Sequence, residues 1–180
     1  MANTRSLELR PIPGITLAAP GGDPWLVSRT DPAHSVMTDF HERSAVVVPG
    51  DTPIDAALEH LKHTGTRSAF VVNRDGRHVL GMITAYDIQG EKPIRHLQSV
   101  GCNHNTCSRD DVLVQDIMEK AAEWQVADIK DIENSTINML LMLFKATGRT
   151  HIAVIENSAE HGARLRGMFS AAKIMRLLKD

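Results

Sequence analysis

The sequence predicts an α+β fold in which two β-α-β-β-α repeats pack on one another as an internal pseudo-dimer. Three observations lead there. The stretch "GMITAYDI" at 81–88 returns as "GMFSAAKI" at 167–174. Setting Met37 against Met118, Ile54 against Ile137, Gly65 against Gly148 and Gly81 against Gly167 holds the offset between 81 and 86 residues. Each copy also runs through the same order of apolar periods, and a unit of about 60 residues buries too little surface to be stable by itself, so the two copies need each other.

In chain order, residues 1–30, with "RPIPG" and "APGGDP", lack periodicity and read as an irregular N-terminal arm. The first repeat is expected over 31–100 and the second over 101–180. Each opens with a short apolar stretch, "AVVV" or "VADI". A helix follows, announced by Asp51-Thr52-Pro53 in one copy and Asn134-Ser135-Thr136 in the other. Ile54, Ala57, Leu58 and Leu61 make one apolar face; Ile137, Leu140, Leu141 and Phe144 make its counterpart. Gly65 and Gly148 stand where a left-handed residue ends such a helix. Two strands come next, "SAFVVN" and "HVLGMIT" or "HIAVIE" and "RLRGMFS", and a second helix begins at Thr84 or Ser170. The polar insertion "ENSAEHGARL" falls in the second hairpin connection, where added length costs little.

The doubled order of "SVMT" and "QDIM", the hydroxyl residue at the first helix, the glycine before the middle strand, and "GMIT..D" or "GMFS..K" at the close resembles the tandem CBS-domain pair, or Bateman module. The resemblance covers about 31–180. It implies a regulatory module that binds an adenosine-containing ligand, AMP, ADP or ATP among them, in clefts between the copies, with the hydroxyl of the closing motif toward phosphate and the acid toward ribose. No cofactor is required. With no enzyme or transporter domain alongside, the regulated target is expected to be a separate protein or the chain's own oligomer.

The chemistry of the closing motif agrees. Glycine at a strand end allows a ligand near the backbone, Thr84 offers a hydroxyl donor, and Asp87 can accept from two ribose hydroxyls. The same pair also reads as a helix N-cap. In the second copy Ser170 keeps the hydroxyl, but Lys173 replaces the acid and has donors only. One nucleotide site near Thr84 and Asp87 is therefore expected, with weaker or no occupancy near Ser170 and Lys173. Arg67 or Arg149 could meet a phosphate, and His151 lies on the same segment. Val47 and Ser68, on the bordering strands, complete the expected ligand-binding set. Phe70 and Ala153 stand where relatives often have proline, so Phe70 either stacks on a base or fills the pocket.

Other classes fit less well. A net charge of −2 attracts neither nucleic acid nor an anionic membrane, and neither partner is expected. No apolar run reaches the ~20 residues of a spanning helix, and a cytoplasmic home is the default. There is no phosphate loop, nucleophile elbow or paired metal histidine, so no enzyme is expected. Cys102 and Cys107 read as two loop thiols in a reducing cytosol, with a redox or metal role as the alternative. The helix "INMLLMLF" has a second apolar face at Met139, Met142 and Leu143, which points to a homodimer. The rival to a nucleotide sensor is a ligand-free dimerisation or protein-interaction scaffold.

Overall fold

The computed structural model describes residues 26–102, 107–158 and 162–179. The strands, in chain order, are β1 (Thr38–Asp39), β2 (Val47–Pro49), β3 (Ser68–Val72), β4 (Val79–Thr84), β5 (Glu119–Lys120), β6 (Ala127–Asp128), β7 (His151–Ser158) and β8 (Gly162–Ser170). The helices are α1 (Ile54–Thr64), α2 (Ala85–Gln89), α3 (Lys92–Ser99), α4 (Val114–Ile117), α5 (Ile129–Glu133), α6 (Ile137–Thr147) and α7 (Ala171–Leu177). The expected first helices are α1 and α6, and both end on a left-handed glycine, Gly65 at φ 67° and Gly148 at φ 66°. Helix α3, with Pro93 in its first turn, is an addition that the repeat pattern does not announce.

The strands make two four-stranded sheets of matching design, ordered β2-β3-β4-β5 and β1-β8-β7-β6. In each, a short strand runs parallel to the next one, which pairs with its successor as an antiparallel hairpin. The fourth strand of each sheet is borrowed. Strand β1, which leads the first repeat, pairs with β8 of the second, and β5, which leads the second, pairs with β4 of the first.

This exchange explains the repeated glycines. A Cβ at Gly167 would lie 2.8 Å from both the Met37 Sδ and the Thr38 carbonyl oxygen, and one at Gly81 would lie 2.9 Å from the Met118 Sδ and collide with the Glu119 carbonyl oxygen. The glycines of "GMIT" and "GMFS" admit the borrowed strand. Room for a ligand at the strand end, the purpose read from the sequence, is not what surrounds them.

The hydrophobic clusters follow the exchange and not the linear division at 100/101. Val112, Val114 and Ile117 are buried with Ile54, Leu61, Val71 and Ile83 of the first repeat. Conversely, Val36 and Met37 join Ile137, Leu140, Phe144 and Phe169 of the second. The described part of the expected arm packs on the second repeat. Val27 is buried in that second cluster, its N–H donating to the Leu177 carbonyl at 2.8 Å and its carbonyl accepting from the Lys179 N–H at 2.9 Å. The rest of the expected arm, residues 1–25, lies outside the described residues.

One expectation is corrected outright. Cys102 and Cys107 are joined in a disulfide, with Cα atoms 5.6 Å apart. That separation falls in the bonding range, which depends on a loop path that residue spacing does not specify.

Candidate functional site

The two closing motifs sit at equivalent registers, Thr84 opposite Ser68 and Ser170 opposite His151, yet their surroundings differ. Thr84 and Asp87 form a complete capping box on α2. The Asp87 N–H donates to Thr84 Oγ1 at 3.1 Å, while Asp87 Oδ2 accepts from the Thr84 N–H at 2.8 Å and the Thr84 hydroxyl at 2.7 Å. The other carboxylate oxygen, Oδ1, is 2.7 Å from Lys92 Nζ, which also donates to the Ile117 carbonyl at 3.2 Å. Both acceptor atoms of Asp87 are therefore engaged within the protein, and its side chain is 18% exposed.

The space at Met82, which leads into this motif on β4, is filled by the chain. Arg149 Nη1 donates to Glu119 Oε1 at 2.6 Å, and Nη2 to the Glu123 carbonyl at 2.9 Å. Phe70 packs edge-on between Phe40 and Trp124, with ring centroids 5.4 and 6.1 Å away. The remaining space among Phe70, Met82, Trp124, Arg149 and His151 is about 10 Å³. That volume holds one water at most. Burial holds the His151 imidazole below its ordinary range, against the opposing pull of the Glu119 and Asp87 carboxylates.

The cleft beside Ser170 is open. It forms a cavity of about 590 Å³, within the range of small-molecule sites. Arg67 and Ser68 enter it from the start of β3, directly after the helix-ending Gly65. Phe40, Arg43, Ser44 and Val46 line it from the segment that joins β1 to β2. Ser170, Lys173 and Arg176 line it from β8 and α7, three residues apart and so along one helical face. Ser170 makes no side-chain cap hydrogen bond to α7, in contrast with Thr84. His151 and Phe70 border this cavity as well as the closed one.

The electrostatics of the open cavity point one way. Among the described residues, Arg43, Arg67, Lys173 and Arg176 line it with Thr38, Thr66 and the three serines, and no Asp or Glu does. Guanidinium groups and hydroxyls are donors to phosphate oxygens and favour an anion.

Of the residues expected from the sequence, Arg67, Ser68, His151, Ser170 and Lys173 meet at this cavity, whereas Thr84 and Asp87 do not line it. Val47 is exposed and outside it; its neighbour Val46 takes the lining position. Space thus lies on the side opposite to the one expected. Arg43, Phe40 and Arg176 escaped the sequence reading. Arg176 carried a usable signal, one helical step beyond Lys173, while Arg43 and Phe40 lie in a stretch with no periodicity. Two larger hollows lie elsewhere, one of about 980 Å³ by the hairpin ends around Arg77, Trp124 and Arg164, and one of about 660 Å³ beside His41 and Arg166. In the second, Arg166 Nη2 pairs with Asp39 Oδ2 at 2.8 Å. Neither is lined by a closing motif.

Among the described residues no group of His, Cys, Asp and Glu could hold a metal ion, and no helix is long and apolar enough to cross a membrane.

Comparison with known proteins places the architecture. The CBS domain family model matches residues 34–91. No curated protein matches the sequence. Among solved structures, an uncharacterized conserved protein from Pyrococcus horikoshii is 21% identical, with 82% of this chain and 91% of that one covered and a TM-score of 0.53. The CBS-pair protein CBSX2 from Arabidopsis thaliana is 18% identical over 82% of this chain and 93% of its own, at a TM-score of 0.51. CBSX2 in complex with AMP gives 16%, 81%, 94% and 0.51 for the same quantities.

Proposed function

Because the chain has the CBS-pair fold, with a CBS domain at residues 34–91, we propose that it is a regulatory module that binds an adenosine-containing ligand of the AMP, ADP or ATP class. It acts on a separate partner protein or on its own oligomer, without catalysis of its own. The observation that carries this reading is the open cavity at Ser170, lined among the described residues by four lysine and arginine side chains and three serines. That similar proteins include one crystallised with AMP supports the ligand class. Phe40, half-buried at the cavity's border, supplies aromatic surface for a base.

Calorimetric titration with AMP, ADP and ATP tests the reading. We expect one site per chain, weakened by Arg67→Ala. Heat-silent titrations with all three at millimolar concentration would refute it.

The scaffold alternative has one observation in its favour. On α6, Met139, Met142 and Leu143 remain exposed while Ile137, Leu140 and Phe144 are buried, so a second apolar face is left on the surface. A homodimer would cover that face and is compatible with either reading.

A further inference from the structure

We propose that Cys102 and Cys107 form a thiol–disulfide exchange site, a clasp that a dithiol reductant opens to release α3 from the body of the protein. Clasp and open cavity share no residue, so each reading stands without the other.

The bond joins the ends of two local structures. On one side α3 terminates at Gly101, left-handed at φ 72°, whose N–H donates to the Gln98 carbonyl at 3.2 Å, while the Cys102 N–H donates to the Leu97 carbonyl at 3.0 Å. Cys102 therefore finishes the helix. On the other side Cys107 directly precedes Ser108, the cap of a helical turn at Arg109–Asp111. The Asp110 N–H donates to Ser108 Oγ at 3.2 Å, and the Ser108 N–H donates to Asp111 Oδ2 at 2.7 Å. From that turn Arg109 reaches the body, Nε donating to Asp55 Oδ1 at 3.0 Å and Nη2 to the Ile88 carbonyl at 2.6 Å.

The two sides are held unequally. The Arg109 turn leads straight into Val112 and Val114, both fully buried. Helix α3 has eight residues, too few to be stable by itself, and it buries Pro93 while His96 and Leu97 are half-buried and Ile94 and Val100 are exposed. Its polar anchors are Lys92, on Asp87 and the Ile117 carbonyl, and His96, 3.7 Å from Asp116. The Lys92 side chain is half exposed, and ion pairs open to water contribute little. Helix α3 thus belongs to the weakly held part of the fold, and the disulfide ties it to a firmly held turn. Both hydrophobic clusters assemble without the bond, and a bridge of sequence separation 5 restrains the unfolded chain less than a long one. Its effect is accordingly local. Cys102 and Cys107 are half-buried rather than enclosed, the access that exchange requires.

Reduction takes two displacements. A thiolate of the reductant attacks one cysteine sulfur, forming a mixed disulfide and expelling the other cysteine as a thiolate, which takes up a proton. The reductant's second thiol then displaces the remaining cysteine, likewise protonated, and closes a disulfide of its own. Two electrons and two protons pass from the dithiol to the protein. With the bond open, the end of α3 is no longer tied to the Arg109 turn. The helix then frays back from Cys102 toward Lys92, which frees Asp87 Oδ1 and uncovers the side of the core that Leu97 packs on.

Hydrogen exchange read by mass spectrometry tests this on the full chain, oxidised and after treatment with dithiothreitol, with thiol alkylation to count the opened bonds. At labelling times of seconds to minutes, peptides spanning α3 should exchange about tenfold or more faster in the reduced protein, while β3 and β7 stay protected in both states. Oxidised glutathione should restore slow exchange. The Cys102→Ser/Cys107→Ser double variant should exchange at the reduced rate with or without dithiothreitol. Equal protection of α3 in both states overturns the inference, as does a bond that dithiothreitol opens only once the chain is unfolded. Loss of protection in β3 and β7 along with α3 also overturns it, since the bond would then staple the whole fold.

Discussion

Replacing Gly81 by alanine probes the strand exchange on which the whole arrangement depends. The new methyl carbon would be 2.9 Å from the Met118 Sδ and 3.2 Å from the Glu119 carbonyl carbon, and it would overlap the attached oxygen. A thioether can swing aside, but a backbone carbonyl cannot. Strand β5 is only Glu119–Lys120, held to β4 through Gly81↔Lys120 and Met82↔Glu119. Restoring normal contact means moving β5 away by about an ångström, an overpacking response that costs roughly 1–3 kcal/mol. Lost ladder hydrogen bonds add about 1 kcal/mol each. Against this, alanine restricts the unfolded chain and returns about 0.5–1 kcal/mol. The net expectation is a loss of about 2–3 kcal/mol. Gly167→Ala, facing the Thr38 carbonyl oxygen at 2.8 Å, should behave alike. Urea titration followed by tryptophan fluorescence measures both. If both variants unfold within about 0.5 kcal/mol of the parent with an unchanged m-value, the borrowed strands do not lie against these glycines and the reasoning fails.

Three further outcomes are expected. His151 is held below its ordinary value by burial, so the unfolded chain takes up that proton first as pH falls. Its contribution is intact above about pH 6.5 and declines as pH drops toward the folded-state value, with a slope of at most ~1.4 kcal/mol per pH unit; denaturant midpoints at stepped pH should show a shallower acid decline in His151→Gln. The Cys102–Cys107 bridge closes a loop of sequence separation 5, so reduction should lower unfolding stability by about 2 kcal/mol, read from urea curves with and without reductant. Met142→Glu, on the exposed face of α6, should convert a dimer at tens of micromolar to monomer by light scattering, and a wild-type monomer would remove the basis for that face as an interface.

Local periodicity was enough for the repeat. Ile54, Leu61, Ile137, Leu140 and Phe144 are buried as their helical spacing foretold, and Gly65 and Gly148 take the left-handed conformation their positions required. Relations between distant segments were not legible. Gly81 and Gly167 were visible as a repeated feature, but the strands that press on them come from elsewhere in the chain, as Met118–Glu119 and Met37–Thr38. The same limit applied to the clefts. The acid at Asp87 was recognised as both a possible ribose acceptor and a cap, and only Lys92, packed against it from the unannounced α3, shows that its second oxygen is also engaged. Lys173 was read as the mark of a lesser site because it has donors only, and spacing does not show that Arg43, Arg67 and Arg176 line the same cavity. Trp124 and Arg149, which fill the space at Met82, likewise gain their role from contacts that no spacing announces.

The most direct measurement of the central claim, that the working cleft is the one at Ser170, is a map of backbone amide shifts as an adenine nucleotide is added to the labelled protein. The account predicts shifts concentrated at Thr66, Arg67, Ser68, Ser170, Lys173 and Arg176, which line the open cavity, with Thr84 and Asp87 unmoved in their capping box. Shifts centred on Thr84 and Asp87, with Ser170 and Lys173 silent, would contradict it.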